Sequence, residues 1–517
     1  MRSINRKSKI HEGSIALGLP NKGKYFFFYL IIIFLFSLSG CYTNLNINEN
    51  EELTVMSEDK SSEEIASVSK PQDSKKQVVL KHIYTDIENN NPRKAIEKYN
   101  NFITANPEEN LSEILLAQLQ IYAGNITKAK KVLRNVLTQE DVLNKNDLID
   151  AKLLLAQIFG FEKAEQEQLS LLFEVIKTDP NNSDAAAFLG AFYANQGDIE
   201  KAKKFFQDSL ASNPENMVSL LGSGQLLAKE EKFDEAIVFY DKAVEVDTEY
   251  SFSYAERAKI KISTGQYDNA IADFSVAIEL HPDNYWYYID RGRALIEKGD
   301  NESARNDFSK AISLNQDEFI AHFYQAKIDF EMNRTTIALT HFERVNVLRA
   351  DYFQVFPYLG MLYFLKGNWL ESGKFFEKSH KQDQQEPAYL LLFALSKLFN
   401  NEKREASNIL SVLIQQVSRD SWTYDVARML MDQGGAMNLV HKYHREKNQT
   451  VRARVSFYVG TLELVLGNTE TARVIFEDAI LITEAKFLER RLTELLIDAL
   501  NDKEGSKSSF PSLTDRF

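Results

Sequence analysis

At seven stations, each 34 residues from the last, the chain places a small residue: Gly190, Gly224, Ala258, Gly292, Ala326, Gly360 and Ala394. Twelve residues after each comes a second small one (Ala202, Ala236, Ala270, Ala304, Ala338, Ser372, Ala406). Four further on comes a large apolar one (Phe206, Tyr240, Phe274, Phe308, Phe342, Phe376, Leu410). A globule with one core needs no such register. A stack of like helix pairs does, because every pair must show its neighbour the same small and large residues.

Each unit reads as two amphipathic helices. The station residue of the first helix is small so that the second can approach closely. On the second helix, the alanine and the ring four places on share one face, the alanine leaving a groove that the ring fills. Between the helices, Gly197-Asp198, Gly265-Gln266, Gly299-Asp300 and Gly367-Asn368 fit the left-handed position that ends a helix. Pro107, Pro180, Pro214 and Pro282 mark joints between units.

These residues at these intervals resemble the tetratricopeptide repeat family, most closely from Ala186 to Pro214, where Leu189-Gly190, Tyr193, Ala202, Phe206 and Pro214 match the family's pattern. The resemblance implies an all-α chain, a right-handed superhelical solenoid of about eleven helix pairs ending in a capping helix near 486–500. The register is regular over 183–420 and looser over 76–182, where Ala95, Ala117 and Ala156 mark three units. It degenerates over 421–452, around Gly434-Gly435, and returns over 453–500 with Gly460, Ala472 and Phe476. Gln316, Ala350 and Gln384 stand where a joint proline is expected.

The N-terminal region has another character. Six basic residues up to Lys24 precede the apolar run Tyr25–Leu38, which is short for a membrane span and suits a secretory signal. Leu38-Ser39-Gly40-Cys41 resembles a bacterial lipobox, which implies removal of residues 1–40 and lipid attachment at Cys41, the one cysteine of the chain. That resemblance implies a protein of the bacterial cell envelope held to a membrane by acyl chains. Tyr42, where an inner-membrane retention signal would have Asp, favours the outer membrane. Residues 41–75, after the cut, are polar and nearly free of aromatics and read as a flexible tether reaching roughly 30 Å. Residues 501–517 read as a tail without regular structure.

The net charge is −13, and −18 once residues 1–40 are removed. That argues against nucleic acid, which attracts basic surfaces.

In the family, the first helix of each pair lines the inner face of the superhelix, and the residue after the small station points into it. Here those residues are Lys259, Arg293 and Lys327, followed three places on by Ile262, Ile296, Phe330, Phe364 and Leu398. Phe252, Trp286 and Ile320 lie near the starts of the same helices. The resemblance thus implies a groove for another envelope protein or peptide with an acidic and apolar segment. A blander reading stands beside it: Arg293 with Glu297 and Lys327 with Glu331 are i,i+4 pairs, and the apolar neighbours extend the core. From unit 353 onward Met361 and Leu395 make the same face greasier, so that 353–420 is open to pairing two copies of the chain. Asparagines for a carboxylate clamp are missing from the register.

Residues for chemistry are sparse. His441 and His444 have helical spacing but no accompanying ligands, and surface histidines explain them. No phosphate-binding glycine loop and no Gly-x-Ser-x-Gly elbow occurs. The expectation is a non-catalytic scaffold without cofactor or metal.

Overall fold

A computed structural model describes residues 75–501, except 90, 109–110, 140–143 and 483–486. The signal segment, Cys41, the tether up to residue 74 and the tail from 502 lie outside the described residues.

Among the described residues all regular structure is helical, in 25 α-helices and one short 3-10 turn. They fall into two compact units divided between Glu249 and Tyr250. The first holds five hairpins: α1 (Lys75–Glu88) with α2 (Pro92–Ala105), α3 (Glu113–Tyr122) with α4 (Ile126–Leu137), α5 (Lys145–Glu162) with α6 (Glu165–Thr178), α7 (Ser183–Asn195) with α8 (Ile199–Ser212), and α9 (Met217–Lys229) with α10 (Phe233–Val246).

The second unit begins with three regular hairpins: α11 (Ser251–Ser263) with α12 (Tyr267–Leu280), α13 (Tyr285–Lys298) with α14 (Asn301–Leu314), and α15 (Phe319–Glu331) with α16 (Thr335–Leu348). After the 3-10 turn Phe353–Val355 come α17 (Phe356–Leu365) with α18 (Trp369–Gln382), and α19 (Ala388–Phe399) with α20 (Lys403–Gln416). The degenerate stretch folds as two short helices, α21 (Trp422–Asp432) and α22 (Ala436–Tyr443), entered through Gly435 in the left-handed region. The last hairpin, α23 (Gln449–Val465) with α24 (Thr469–Ile482), precedes a final helix, α25 (Leu488–Asn501).

The register explains the packing. Gly190, Gly292, Gly360 and Gly460 each lie against the ring sixteen residues on, Phe206, Phe308, Phe376 and Phe476, and all four rings are buried. A helix pair closes this tightly only where one partner lacks a side chain. The turns follow the glycines: Gly197, Gly265, Gly299 and Gly367 have φ between 71° and 89°. Where a unit lacks the glycine, Glu231, Asn333 and Asn401 take the same left-handed backbone at φ 58–63°, at a cost of about 1 kcal/mol each. Side chains then cap the helix starts: Oδ1 of Asn182, Asp198 and Asp300 accepts from the backbone N–H of Ala185, Lys201 and Ser303.

Candidate partner-binding face

Within the second unit, the first helices α11, α13 and α15 hold the expected cations. All three keep some exposure, but they are not equivalent. Lys259 Nζ lies 2.5 Å from Glu256 Oε1 and 4.0 Å from Asp290 Oδ2. Burial works against its ammonium, yet Glu256 and Asp290 outweigh that and hold its pKa above the ordinary lysine value. Its side chain is 39 % exposed, so the ammonium sits among protein groups without being sealed from water.

Arg293 Nη1 lies 3.2 Å from Asp290 Oδ1, one turn back on α13. The i,i+4 pairing with Glu297 is not the one it makes. Asp290 therefore stands between Lys259 and Arg293 and answers both. Lys327 forms no ion pair among the described residues and is partly exposed. Of the three rungs it alone has its charge to offer.

Apolar groups flank these cations. Phe252, Trp286, Ile320, Ile262 and Ile296 are all half-buried, each with part of its surface left to solvent. Phe252 lies under Lys259, whose Nζ is 6.0 Å from the ring centroid. Trp286 packs on Tyr285.

Two residues expected on this face are elsewhere. Phe330 is 1 % exposed and Phe364 is fully buried, so neither can touch a partner. Phe330 packs on Tyr358 and is covered by the Arg491 guanidinium, 5.1 Å from the ring centroid. Phe364 stands edge-on to Trp369 and Phe399, which stack on one another. Met361, Leu395 and Leu398 are likewise buried within one chain. The expectation that Phe364 and Leu398 are free to pair two copies is therefore corrected: order along a helix does not distinguish a residue lining a groove from one filling it.

The structure also brings together residues that the sequence reading passed over. Arg257 on α11 forks onto Asp273 on α12, with Nε to Oδ2 at 2.9 Å and Nη2 to Oδ1 at 2.8 Å. Arg291 on α13 grips Asp307 on α14 in the same way, both contacts at 2.8 Å, and its Nη1 also donates to Ser275 Oγ. Such bidentate pairs fix geometry as well as charge. The signal was available, since both the arginines and the aspartates are 34 residues apart, one place before the small station and one before the ring.

On α15 the arginine becomes Gln325, and the acid is Asp329, fully buried. Arg305 Nε donates to Asp329 Oδ1 at 2.7 Å and Gln325 Nε2 to Oδ2 at 3.2 Å. Beside it His322 meets His341, Nδ1 to Nδ1, at 2.8 Å. His322 Nε2 lies 3.0 Å from Gln316 O, a carbonyl that can only accept. So His322 carries its proton on Nε2, and His341 donates from Nδ1 across the pair.

The first unit presents different chemistry at the same register. Six places before the small station, where the second unit has Phe252, Trp286 and Ile320, it has Asp150 and Asp184. Burial, then Asp147 and Asp184, push the Asp150 carboxyl up to about 6. Burial also raises Asp184, opposed by the amide of Asn216, which donates to it at 2.8 Å.

Among the described residues, no three His, Cys, Asp or Glu side chains converge as a metal site, and no helix is long and apolar enough to cross a membrane.

Known proteins place this architecture. A tetratricopeptide repeat-like domain profile matches residues 66–222, and tetratricopeptide repeat profiles match 193–253, 253–284 and 287–318. No curated protein matches the chain in sequence. Among solved structures, the type IV pilus biogenesis factor PilW is 18 % identical, matching 41 % of this chain and 95 % of its own at a TM-score of 0.37. YrrB, a tetratricopeptide repeat protein with an unusual peptide-binding site, is 20 % identical, matching 36 % and 95 % at 0.31. A tetratricopeptide repeat protein from Parabacteroides merdae is 17 % identical, matching 48 % and 97 % at 0.35. The described residues are all-α, and the hairpins up to residue 318 carry tetratricopeptide repeats.

Proposed function

We propose that this chain is a lipid-anchored scaffold of the bacterial cell envelope, which holds a segment of another protein on the face formed by α11, α13 and α15. The observation that carries the reading is that Phe252, Trp286 and Ile320, on the first helices of three successive hairpins, keep part of their surface exposed. Lys327, two turns on from Ile320 along α15, is a partly exposed cation with no ion pair among the described residues. Apolar anchors supply affinity and the charge sets register. The partner segment is apolar with an acidic residue that reaches Lys327. The paired acids Glu256 and Asp290 leave little net attraction at the other two cations, so the segment needs one well-placed carboxylate rather than an acidic run.

The anchor is Cys41, read from the lipobox-like residues before it. The mature chain is joined through its N-terminal cysteine to a membrane, the outer one by the residue at 42, and its tether lets the array reach a partner. No catalytic role is assigned, and neither a cofactor nor nucleic acid is part of the reading.

Crosslinking in cells followed by pull-down on the full chain, with Lys327→Glu as control, tests the scaffold. The expected result is one envelope protein captured by the parent and lost from the variant; equal capture by both removes the reading. Metabolic labelling with a fatty acid tests the anchor separately, and label that persists in Cys41→Ser would overturn it.

A further inference from the structure

The final helix does more than end the stack. α25 packs on α24 and α23, the hairpin just before it, but also on α17, and it reaches the end of α15. Arg491 Nη2 donates to Phe330 O at 2.5 Å and to Asn333 Oδ1 at 2.6 Å. Asn333 Nδ2 in turn donates to Asp498 Oδ2 at 3.1 Å. The helices so joined are about 160 residues apart in sequence. An end cap buries one stripe and shows water the other side. In α25 the residues Leu492, Thr493, Leu495, Leu496, Ile497 and Leu500 are buried, an arc of about 200° at 100° per residue.

We propose that α25 is an autoinhibitory helix. It fills, within one chain, a helix-binding seat made by α15, α17, α23 and α24, and a partner helix of like pattern takes the seat when α25 leaves.

The seat reads a helix by charge and by shape. At one end Arg454 Nε and the Tyr458 hydroxyl donate to the buried Glu489, at 3.1 and 3.0 Å. Two places on, the carbonyls that end α15 accept from Arg491, where the helix dipole favours a cation. The leucines that follow along α25 fill the rest of the seat, as in helix-in-groove recognition. The occupant must therefore be amphipathic, with an acid two places before a base and leucines at one-turn spacing.

The fit of α25 is incomplete, and this is why it can be exchanged. Arg491 Nε is buried without a hydrogen-bond partner. A donor left so weakens the hold of a helix that otherwise fits. Phe330, expected to face a partner, is the residue that Arg491 covers.

The probe is a synthetic peptide of residues 487–501, labelled at its N-terminus and added to the full chain. In a chain carrying Arg491→Glu and Leu496→Asp the resident helix is disabled, and the peptide is expected to bind at least tenfold more tightly than to the parent. Equal binding to both, or to neither, with helicity retained, overturns the proposal. Should the double variant lose its helicity, hydrogen exchange on the parent decides: α25 is expected to exchange at least tenfold faster than α24. One common rate for the two helices would make α25 ordinary core and end the idea. Only this chain is needed, so failure here leaves the scaffold reading to its own test.

Discussion

Gly190 and Phe206 approach so closely that a Cβ on the glycine would lie 2.5 Å from Cδ1 of the ring. The ring is buried in the first unit and has little room to withdraw. Gly190→Ala should destabilise the chain by about 1–3 kcal/mol, as overpacking does. Gly292→Ala, where the distance is 2.8 Å, should cost less. Neighbouring units tolerate alanine at the same station, at Ala258 and Ala326, with Phe274 and Phe342 fully buried beside it. Urea unfolding of the two variants checks the order, and an unchanged midpoint for Gly190→Ala would contradict it.

The Arg291–Asp307 fork predicts a second cost. Asp307 is buried and receives both donors from one guanidinium. Asp307→Leu leaves that cation without its partner and should destabilise by about 2–3 kcal/mol, less than a wholly buried pair because Arg291 keeps some exposure. Arg291→Lys preserves the charge but loses the fork, and should recover less than half of the difference. Chemical denaturation of the three proteins measures both.

Why some of this was legible in the sequence and some not follows from what repeats. The hairpins, their turns and the buried rings recur every 34 residues, so one unit explains the next. The Arg257 and Arg291 forks recur too, and could have been read from the same spacing had the place before the small station been given the weight of the place after it. The seating of α25 has no period. Its contacts join Arg491 to Phe330 and Asn333, and no local pattern in either segment names the other. That long-range contact, together with Tyr358, is what turns Phe330 from a groove residue into a covered one. Asp290 shows the same limit on a smaller scale: i,i+4 arithmetic pointed Arg293 to Glu297, but an acid one turn back, shared with Lys259, holds it instead.

Stability should fall in mild acid through the His322–His341 pair. Burial lowers both imidazoles, and in His341 the neighbouring His322 lowers it further. The folded state thus binds protons less readily than the unfolded state near the ordinary histidine pKa of about 6.5. The contribution is complete above that value and is lost as pH falls below it. Protonating His322 at Nδ1 would also set two donors face to face across 2.8 Å. Arg344 and Arg305 oppose the added charge, while Asp317 and Asp329 favour it. The Tm of the full chain should drop between about pH 7.5 and about pH 5.5, and His341→Gln should remove much of that drop. Asp150 has the opposite sign: its raised carboxyl strengthens folding as pH falls through about 6. Asp150→Asn should therefore stabilise at neutral pH, on the order of 1 kcal/mol with its partial exposure discounted, and should change little near pH 4.

Charge reversal should separate the three cations of α11, α13 and α15. Lys259 is held by Glu256 and Asp290, and Arg293 shares Asp290. A partner carboxylate would have to compete with those acids, so Lys259→Glu should weaken capture by less than threefold or so while freeing Asp290 to Arg293. Lys327 has no such competitor among the described residues. Lys327→Glu removes an attraction and adds a repulsion at one point, for a loss of about tenfold, mainly in the dissociation rate if the contact is desolvated. Raising the salt should weaken the parent and slightly strengthen Lys327→Glu, because salt screens the attraction in the one and the new repulsion in the other. Surface-bound parent and variants, with the crosslinked partner as analyte, give all three comparisons. Equal losses at Lys259 and Lys327 would mean that the ion pairs around Asp290 open on binding, and that all three rungs act together.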